Sequence, residues 1–200
     1  MREIDASALV ALREELVPAV EKSHGVKLTF TDLLVGVVAR VLAKHPRMNA
    51  SWTGQAIRRN SEINIGIAIA VEDGVVTTVI PGADKATLGN IALQRRDTAE
   101  RARAGKPRPS DISGGTFTIS NLGMYNVDAF SAIIVQPQAA ILAVGGIAQR
   151  VAAVAGRPEV RPMMTLTISC DHRVADGARA AMFMQDLTEA LQDPKKTLGV

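Results

Sequence analysis

Apolar and polar positions along this chain follow two periods, and the changes of period mark its elements. From Asp5 onward, Leu9, Leu12, Leu16 and Val20 recur at helical spacing and fade by Gly25, predicting an amphipathic helix that begins at Asp5. Thr29 and Asp32 have the offset of a capping box, so a second helix is predicted from Phe30 to Lys44, stopped by Pro46. It is apolar nearly all round (Leu33, Leu34, Val35, Val37, Val38, Val41, Leu42), the pattern of a buried helix. Ile63 to Val71 instead alternates at period two, and Val75 to Ile80 follows across Glu72-Asp73-Gly74, so the two read as a hairpin. Thr87 caps a helix through Arg103, closed by Gly105 to Pro109. Ser113-Gly114-Gly115 then leads into a strand from Thr116 to Ser120. An irregular stretch, Asn121 to Pro137, precedes an apolar strand from Ala139 to Ile147. Gly156-Arg157-Pro158 turns the chain into a long strand ending at Cys170. Asp176 then caps a helix from Ala178 to Leu191, with Ala180, Phe183, Met184, Leu187 and Leu191 on one face.

Helices first, then mixed strands and helices with hairpin-length connections, predict an α+β class: a two-layer mixed β-sheet with helices packed on it. Two hundred residues suit a single domain with a substantial core. Aromatics are scarce, so Val, Ile, Leu, Ala and Met must fill that core. One cysteine excludes an internal disulfide framework and fits a reducing compartment. Arg40, Glu72 and Arg150 interrupt the longest apolar runs before they reach spanning length, and Met-Arg-Glu-Ile-Asp has no secretory apolar region. A net charge of +3 suits an anionic ligand without requiring one. Few aromatics and low charge argue against nucleic-acid binding. Neither Gly123 nor Gly145-Gly146 forms a dinucleotide fingerprint or P-loop.

Two segments carry candidate chemistry. In Cys170-Asp171-His172-Arg173-Val174-Ala175-Asp176-Gly177, a histidine stands between a strand and a helix with a carboxylate four residues on, the arrangement of an oriented general base. In Thr118-Ile119-Ser120-Asn121-Leu122-Gly123, a serine stands where a strand breaks into a loop, so its hydroxyl can donate to a developing oxyanion. Taken alone, the first is also a surface His-Arg turn and the second an ordinary Ser-Asn turn. Cys170 two residues before His172 would share a strand face with it, which leaves a thiol nucleophile open beside a plain buried strand residue. His24 and His45 sit at helix ends without metal-spaced partners and read as solvated or capping residues; no metal site is expected.

Three stretches occur in order: Gly114-Gly115-Thr116-Phe117-Thr118-Ile119-Ser120-Asn121-Leu122-Gly123-Met124, Gln136-Pro137-Gln138-Ala139-Ala140-Ile141-Leu142-Ala143-Val144-Gly145, and Asp171-His172-Arg173 with Asp176-Gly177. With His45-Pro46, Asn49-Ala50-Ser51-Trp52 and Asn64-Ile65-Gly66-Ile67-Ala68, the chain strongly resembles the catalytic core of the dihydrolipoamide acyltransferases. These are the central components of 2-oxo acid dehydrogenase complexes and share the chloramphenicol acetyltransferase fold. The resemblance implies acyl transfer between dihydrolipoamide and coenzyme A without an acyl-enzyme. His172 would be the general base toward the attacking thiol, Ser120 the oxyanion donor, and Asp176 the residue that holds the geometry around the histidine. Asn121, Gly145 and Ile147, with Ser120, match positions along coenzyme A. A thiol titrates near ~8.5 and an imidazole near ~6.5, a workable pair at neutral pH. The lipoyl group would come from a separate lipoyl domain, with 2-oxo acid dehydrogenase and dihydrolipoamide dehydrogenase components as partners. A homotrimer is implied, its active site lying between chains and the trimers able to build a larger shell. The buried-looking helix Phe30 to Lys44 and the strand Ala139 to Ile147 suit such burial.

The chain also departs from that family. It is expected to lack a first segment, including an arginine that supports the aspartate matching Asp176, and to carry neither a lipoyl nor a subunit-binding domain, leaving residues 1–200 as one catalytic domain. Val76-Thr77-Thr78-Val79 replaces a usual Val-Pro pair, with a loop near the substrate channel expected to change. The end lacks a double-leucine tail. Asn121-Leu122-Gly123-Met124-Tyr125 is most like the pyruvate-complex members, so acetyl transfer is expected. An inactive structural core and a coenzyme A-dependent O-acetyltransferase are the alternatives. The implied compartment is the bacterial cytoplasm, or the mitochondrial matrix or plastid stroma for a processed fragment. Asp84-Lys85-Ala86 matches a lipoylation tripeptide outside its usual setting. Arg95, Arg96, Arg101, Arg103, Lys106 and Arg108 read as a solvated helix face or a phosphate-binding or lipoyl-domain surface.

Overall fold

Three helix starts marked in the sequence are capped as the side chains require. In the computed structural model, which describes residues 1–200, the Thr29 hydroxyl accepts from Asp32 N while Asp32 Oδ2 accepts from Thr29 N at 2.7 Å. Thr87 accepts from Asn90 N at 3.3 Å, and Asp176 from Arg179 N at 2.9 Å. These open α2 (Phe30–Leu42), α3 (Leu88–Arg103) and α5 (Gly177–Gln192). Before them, α1 (Ser7–His24) ends on Gly25 at φ 62°, a left-handed turn that glycine enters without steric cost. Short helices α4 (Pro109–Ile112) and α6 (Pro194–Leu198) complete the set.

The helices pack on one face of a seven-stranded mixed sheet, which makes the two layers. Its strands are β1 (Arg2–Asp5), β4 (Ile65–Val71), β5 (Gly74–Ile80), β6 (Phe117–Asn121), β7 (Ala140–Val144), β8 (Ala148–Val154) and β9 (Arg157–Cys170). The order is β1-β9-β7-β6-β4-β5, with β8 prolonging the pairing of β7 along β9. The predicted hairpin is β4–β5. A separate ribbon joins β2 (Ala50–Trp52) to β3 (Ile57–Arg59).

Strand period two decides what each face carries. Phe117 and Ile119 of β6 are 0% exposed and belong to the helix-side core with Leu142, Val144, Met164 and Leu166. Thr118 and Ser120 therefore point to the other face, as do Ile141, Ala143, Thr165, Thr167 and Ser169. Part of that face lies beneath residues 122–138: Gly146 N donates to Val127 O, and a Cβ on Gly145 would lie 2.0 Å from Asp128 O, which only glycine permits.

Several expectations are corrected. Asp5 does not begin α1: Arg2–Asp5 pairs antiparallel with Met163–Leu166, and the Asp5 carboxylate accepts from Ser7 N at 2.8 Å just before the helix. The strand from Ala139 stops at Val144: Gly145 N still donates to Thr165 O, but Gly146 N turns to Val127 O, and pairing along β9 resumes at Ala148. Helix α2 is buried within this chain, between α1, α3, α5 and α6, and β7 is buried on both faces, so neither offers surface to an oligomer. Val76-Thr77-Thr78-Val79 lies inside β5, paired with β4, and forms no loop.

Candidate functional site

Register separates Ser120 from His172. In the sheet Ser120 is level with Ala143 of parallel β7, and Ala143 with Thr167 of antiparallel β9. From Thr167, β9 runs three more residues to Cys170, away from the end where β6 and β7 finish. Asp171 N continues the ladder to Ala139 O, and His172 follows in a turn. Three residues along the strand and two strand spacings put Cys170 roughly 14 Å from Ser120, with His172 beyond it. Within one chain the hydroxyl and the imidazole cannot meet. The sheet thus has a serine pole and a histidine pole.

At the serine pole, Ser120 stands half-buried on the face away from the helices. Asn121 is fully used: its amide donates to Thr31 Oγ1 at 3.1 Å and its carbonyl accepts from Gly123 N at 2.9 Å, pinning β6 to the first turn of α2. Beside it opens a groove of about 310 Å³ lined by Phe30, Leu34, Asn121, Met124, Gly145 and Ile147, among others. The structure thus brings Asn121, Gly145 and Ile147 into one groove. Its walls are mostly apolar, suited to an elongated chain carrying a few amides.

At the histidine pole, His172 is exposed and hydrogen-bonds to no neighbour. Its turn is held from both sides. Asp171 takes a bidentate grip on Arg173, whose guanidinium lies 5.6 Å from the Trp52 ring centre. Arg47 donates to Val174 O at 3.4 Å. Asp176 gives one carboxylate oxygen to Arg179 N and the other to the Arg179 guanidinium. Hydrogen bonding to Arg173 holds the Asp171 carboxyl below the usual carboxylate range, and the backbone N–H of Arg179 does the same for Asp176. Next to this turn lies a cleft of about 580 Å³ walled by Trp52, Ile133, Ile134, Ser169 and Arg173, with Gln138 at its edge. Gln138 in turn accepts from Thr118 Oγ1 at 2.6 Å.

These contacts revise the reading of single residues. Asp176 does not orient the imidazole directly; it fixes the turn by capping α5, and its arginine support comes from Arg179 of that helix. The offset from Asp176 to Arg179 was the available signal. Cys170 and His172 do not share a strand face, because β9 ends at Cys170; the thiol packs against the main core and burial pushes its pKa up, which disfavours a nucleophilic thiolate. His45 is neither solvated nor a cap: it binds Asp186 at 2.8 Å and sits edge-on to Phe183. Half of the basic cluster is structural, while Arg103, Lys106 and Arg108 stay on the surface. Arg95 pairs with fully buried Asp32 at 2.6 Å, Arg96 donates to Gly25 O, and Arg101 grips Asp111 with two bonds. Lys85 lies in the turn between β5 and α3, its N–H donating to Gly82 O.

Helices on one face of a mixed sheet, with a serine near the end of an inner strand and a histidine in the turn after the antiparallel strand two places away, define a chloramphenicol acetyltransferase-like fold. A chloramphenicol acetyltransferase superposes over 95% of this chain and 86% of its own with a TM-score of 0.58 at 15% identity. The chain belongs to the 2-oxoacid dehydrogenases acyltransferase (catalytic domain) family, which residues 1–199 match. It is 38% identical over 196 residues, 98% of this chain and 49% of the relative, to the succinyltransferase component of the 2-oxoglutarate dehydrogenase complex of Rickettsia bellii. It is also 38% identical over 194 residues, 95% of this chain and 30% of the relative, to the mitochondrial acetyltransferase component of the pyruvate dehydrogenase complex of Dictyostelium discoideum. The chain thus spans about half or less of these relatives. Among solved structures, the cubic core of a pyruvate dehydrogenase multienzyme complex and the dihydrolipoamide acetyltransferase of Azotobacter vinelandii each match at 34% identity and TM-score 0.93, over 98% of this chain and 82% of theirs. The Azotobacter structure addresses the role of a serine, a histidine and an asparagine in catalysis; these are spaced as Ser120, His172 and Asp176 are here.

Proposed function

We propose that this chain transfers an acyl group, acetyl in particular, between coenzyme A and the dihydrolipoamide of a separate lipoyl domain, as the core of a 2-oxo acid dehydrogenase complex. The observation that carries the reading is the Ser120–His172–Asp176 constellation at the spacing of the Azotobacter enzyme, on the same fold. His172 accepts the proton of the incoming thiol. The thiolate attacks the thioester carbonyl, and the Ser120 hydroxyl donates to the oxyanion that forms. Collapse expels the second thiolate, which takes the proton back from the imidazolium. One thiol replaces another, so no acyl-enzyme is required. The groove of Asn121, Gly145 and Ile147 serves the coenzyme A arm, and Asp176 positions the histidine turn.

Because Ser120 and His172 of one chain stand apart, the working site takes its serine from one copy and its histidine from the next. A trimer, the unit from which a cubic core can be assembled, provides that pairing. Acetyl is favoured over succinyl on the stretch Asn121-Leu122-Gly123-Met124-Tyr125, and the sheet row of Ser120 with Ala143 and Thr167 is short and uncharged. The 38% identity to a succinyltransferase makes succinyl transfer the reading to test against it.

The test is incubation with free dihydrolipoamide and either acetyl-CoA or succinyl-CoA, with thioester formation followed. Higher kcat/KM for acetyl-CoA is expected; preference for succinyl-CoA overturns the choice of acyl group, and no transfer from either overturns the activity. Mixing Ser120→Ala with His172→Ala chains should restore part of the lost activity. No recovery in verified mixed trimers would overturn the shared site.

A further inference from the structure

One buried donor on the sheet face that carries Ser120 has no acceptor. Gln138 is 6% exposed; its Oε1 accepts from the Thr118 hydroxyl at 2.6 Å, and its Nε2 donates to no group of this chain. A separation of 2.6 Å is that of an O–H···O bond and short for N–H···O, so the carbonyl end faces Thr118 and the nitrogen is turned away from it. An amide buried with idle protons costs free energy unless something accepts them. Glycines keep the space around it clear. A Cβ on Gly115 would lie 3.1 Å from Gln138 Nε2, and one on Gly66 would lie 2.7 Å from Thr118 Oγ1. Thr118 and Ser120 share one face of β6, with Gly66 of β4 level with Thr118 and Ala68 two residues on. A floor of small residues therefore joins the serine to the amide.

We propose that Gln138 Nε2 donates to the amide carbonyl of the dihydrolipoamide arm, which lies along this floor with its thiol at Ser120, and that Thr118 positions Gln138 for that contact. The inference rests on the acyl transfer proposed above and names a binding residue for its second substrate. Direction is the first observation that selects this arm. The groove of Asn121, Gly145 and Ile147 leaves Ser120 past the end of β6, whereas Gln138 lies back toward the start of that strand. Two thiol arms can then reach the serine from opposite sides. Length is the second. Thr118 lies about 7 Å and Gly115 about 16 Å back from Ser120 along the extended chain, which puts Nε2 between them, roughly 12 Å from the serine. Dihydrolipoamide carries its single amide at the far end of an octanoyl chain, a reach of that order from its terminal thiol. The methylenes between need a floor without bulk or charge, which Gly66 and Ala68 provide.

Kinetics with two acceptors test the contact. Gln138→Met keeps the length of the side chain without its donor. It is expected to raise the KM for dihydrolipoamide about tenfold, the effect of losing one buried hydrogen bond, with kcat and the KM for acetyl-CoA little changed. Octane-1,3-dithiol is the same arm without its amide. Wild type should use it with a KM about tenfold above that for dihydrolipoamide, and Gln138→Met should not distinguish the two. Thr118→Val removes the hydroxyl that orients Gln138 and should raise the KM for dihydrolipoamide by a smaller factor, about threefold, again without an effect on the dithiol. That variant carries the test if Gln138→Met misfolds. A preference for dihydrolipoamide that survives in the variants would overturn the contact, as would equal losses with both acceptors, the mark of a structural residue. A raised KM for acetyl-CoA alone would give the amide to coenzyme A and overturn it too. Each of these outcomes leaves acyl transfer standing. A wild-type chain that transfers no acyl group to either acceptor would overturn the underlying reading and the contact with it.

Discussion

The serine pole and the histidine pole hold Ser120 and His172 by different forces. Ser120 lies within β6, between β4 and β7, and the sheet ladder sets its backbone. Asn121 adds two neutral hydrogen bonds. His172 stands in a turn outside the sheet ladder, and the turn is tied by carboxylate–guanidinium pairs: Asp171 to Arg173 and Asp176 to Arg179. An oxyanion donor works by being in place before charge develops, and a ladder suits that. A general base must accept a proton, move with its thiol and release it, and an exposed turn suits that. The charge-assisted ties let the second pole respond to pH where the first does not.

Removing each reactive group should show the largest differences. His172→Ala should cut turnover on the order of 10²–10⁴-fold, the contribution of a positioned base. Steady-state rates with dihydrolipoamide and acetyl-CoA measure it, and retention of half the activity would end the base assignment. Ser120→Ala should lower kcat by roughly 10²–10³-fold with KM little changed, since its hydrogen bond strengthens only as the oxyanion forms. A raised KM with intact kcat would make Ser120 a ground-state binding group.

The ties around His172 should matter less. Arg179→Ala frees one oxygen of Asp176 while the α5 cap remains, so kcat is expected to fall only about tenfold, with the KM for coenzyme A unchanged. Lys at position 179 should recover part of that loss if the charge is what counts. A loss as large as that of His172→Ala would give Asp176 and Arg179 a direct part in the chemistry.

Acid should separate the poles without any mutation. Asp171 and Asp176 have folded pKa values below their unfolded values, so their ties contribute fully above the ordinary carboxylate range and are lost as pH falls through the lower folded values. Hydrogen exchange of residues 171–179, corrected for intrinsic rate, should therefore lose protection below about pH 4 while residues 117–121 keep theirs. Parallel loss at both poles would show that acid unfolds the whole chain together. The smallest effect is expected at Cys170: Cys170→Ser should retain most activity, because the thiol is half-buried and its thiolate disfavoured. A folded but inactive variant would reopen a nucleophilic role.

Local chemistry made much of this protein legible from its sequence. The caps at Thr29, Thr87 and Asp176, the hairpin at Glu72-Asp73 and the glycine stop at Gly25 each depend on residues within a few positions of one another, and all are present in the fold. The serine and histidine segments were likewise readable, because each is a strand end with its own turn residues. What could not be read depends on partners far along the chain. Arg2–Asp5 becomes a strand only because Met163–Leu166 pairs with it, and Ala148–Val154 only because Arg157–Met163 does. Arg95 looks like a solvent charge until α2 places buried Asp32 beside it. The distance between Ser120 and His172 belongs to the same class. Sequence supplied both residues and suggested a site shared between chains, but sheet order and strand direction put them at opposite ends of one layer. Capping is satisfied within a single turn of chain, whereas strand register is chosen by the whole sheet, and here the register decided that Ser120 and His172 stand apart within one chain.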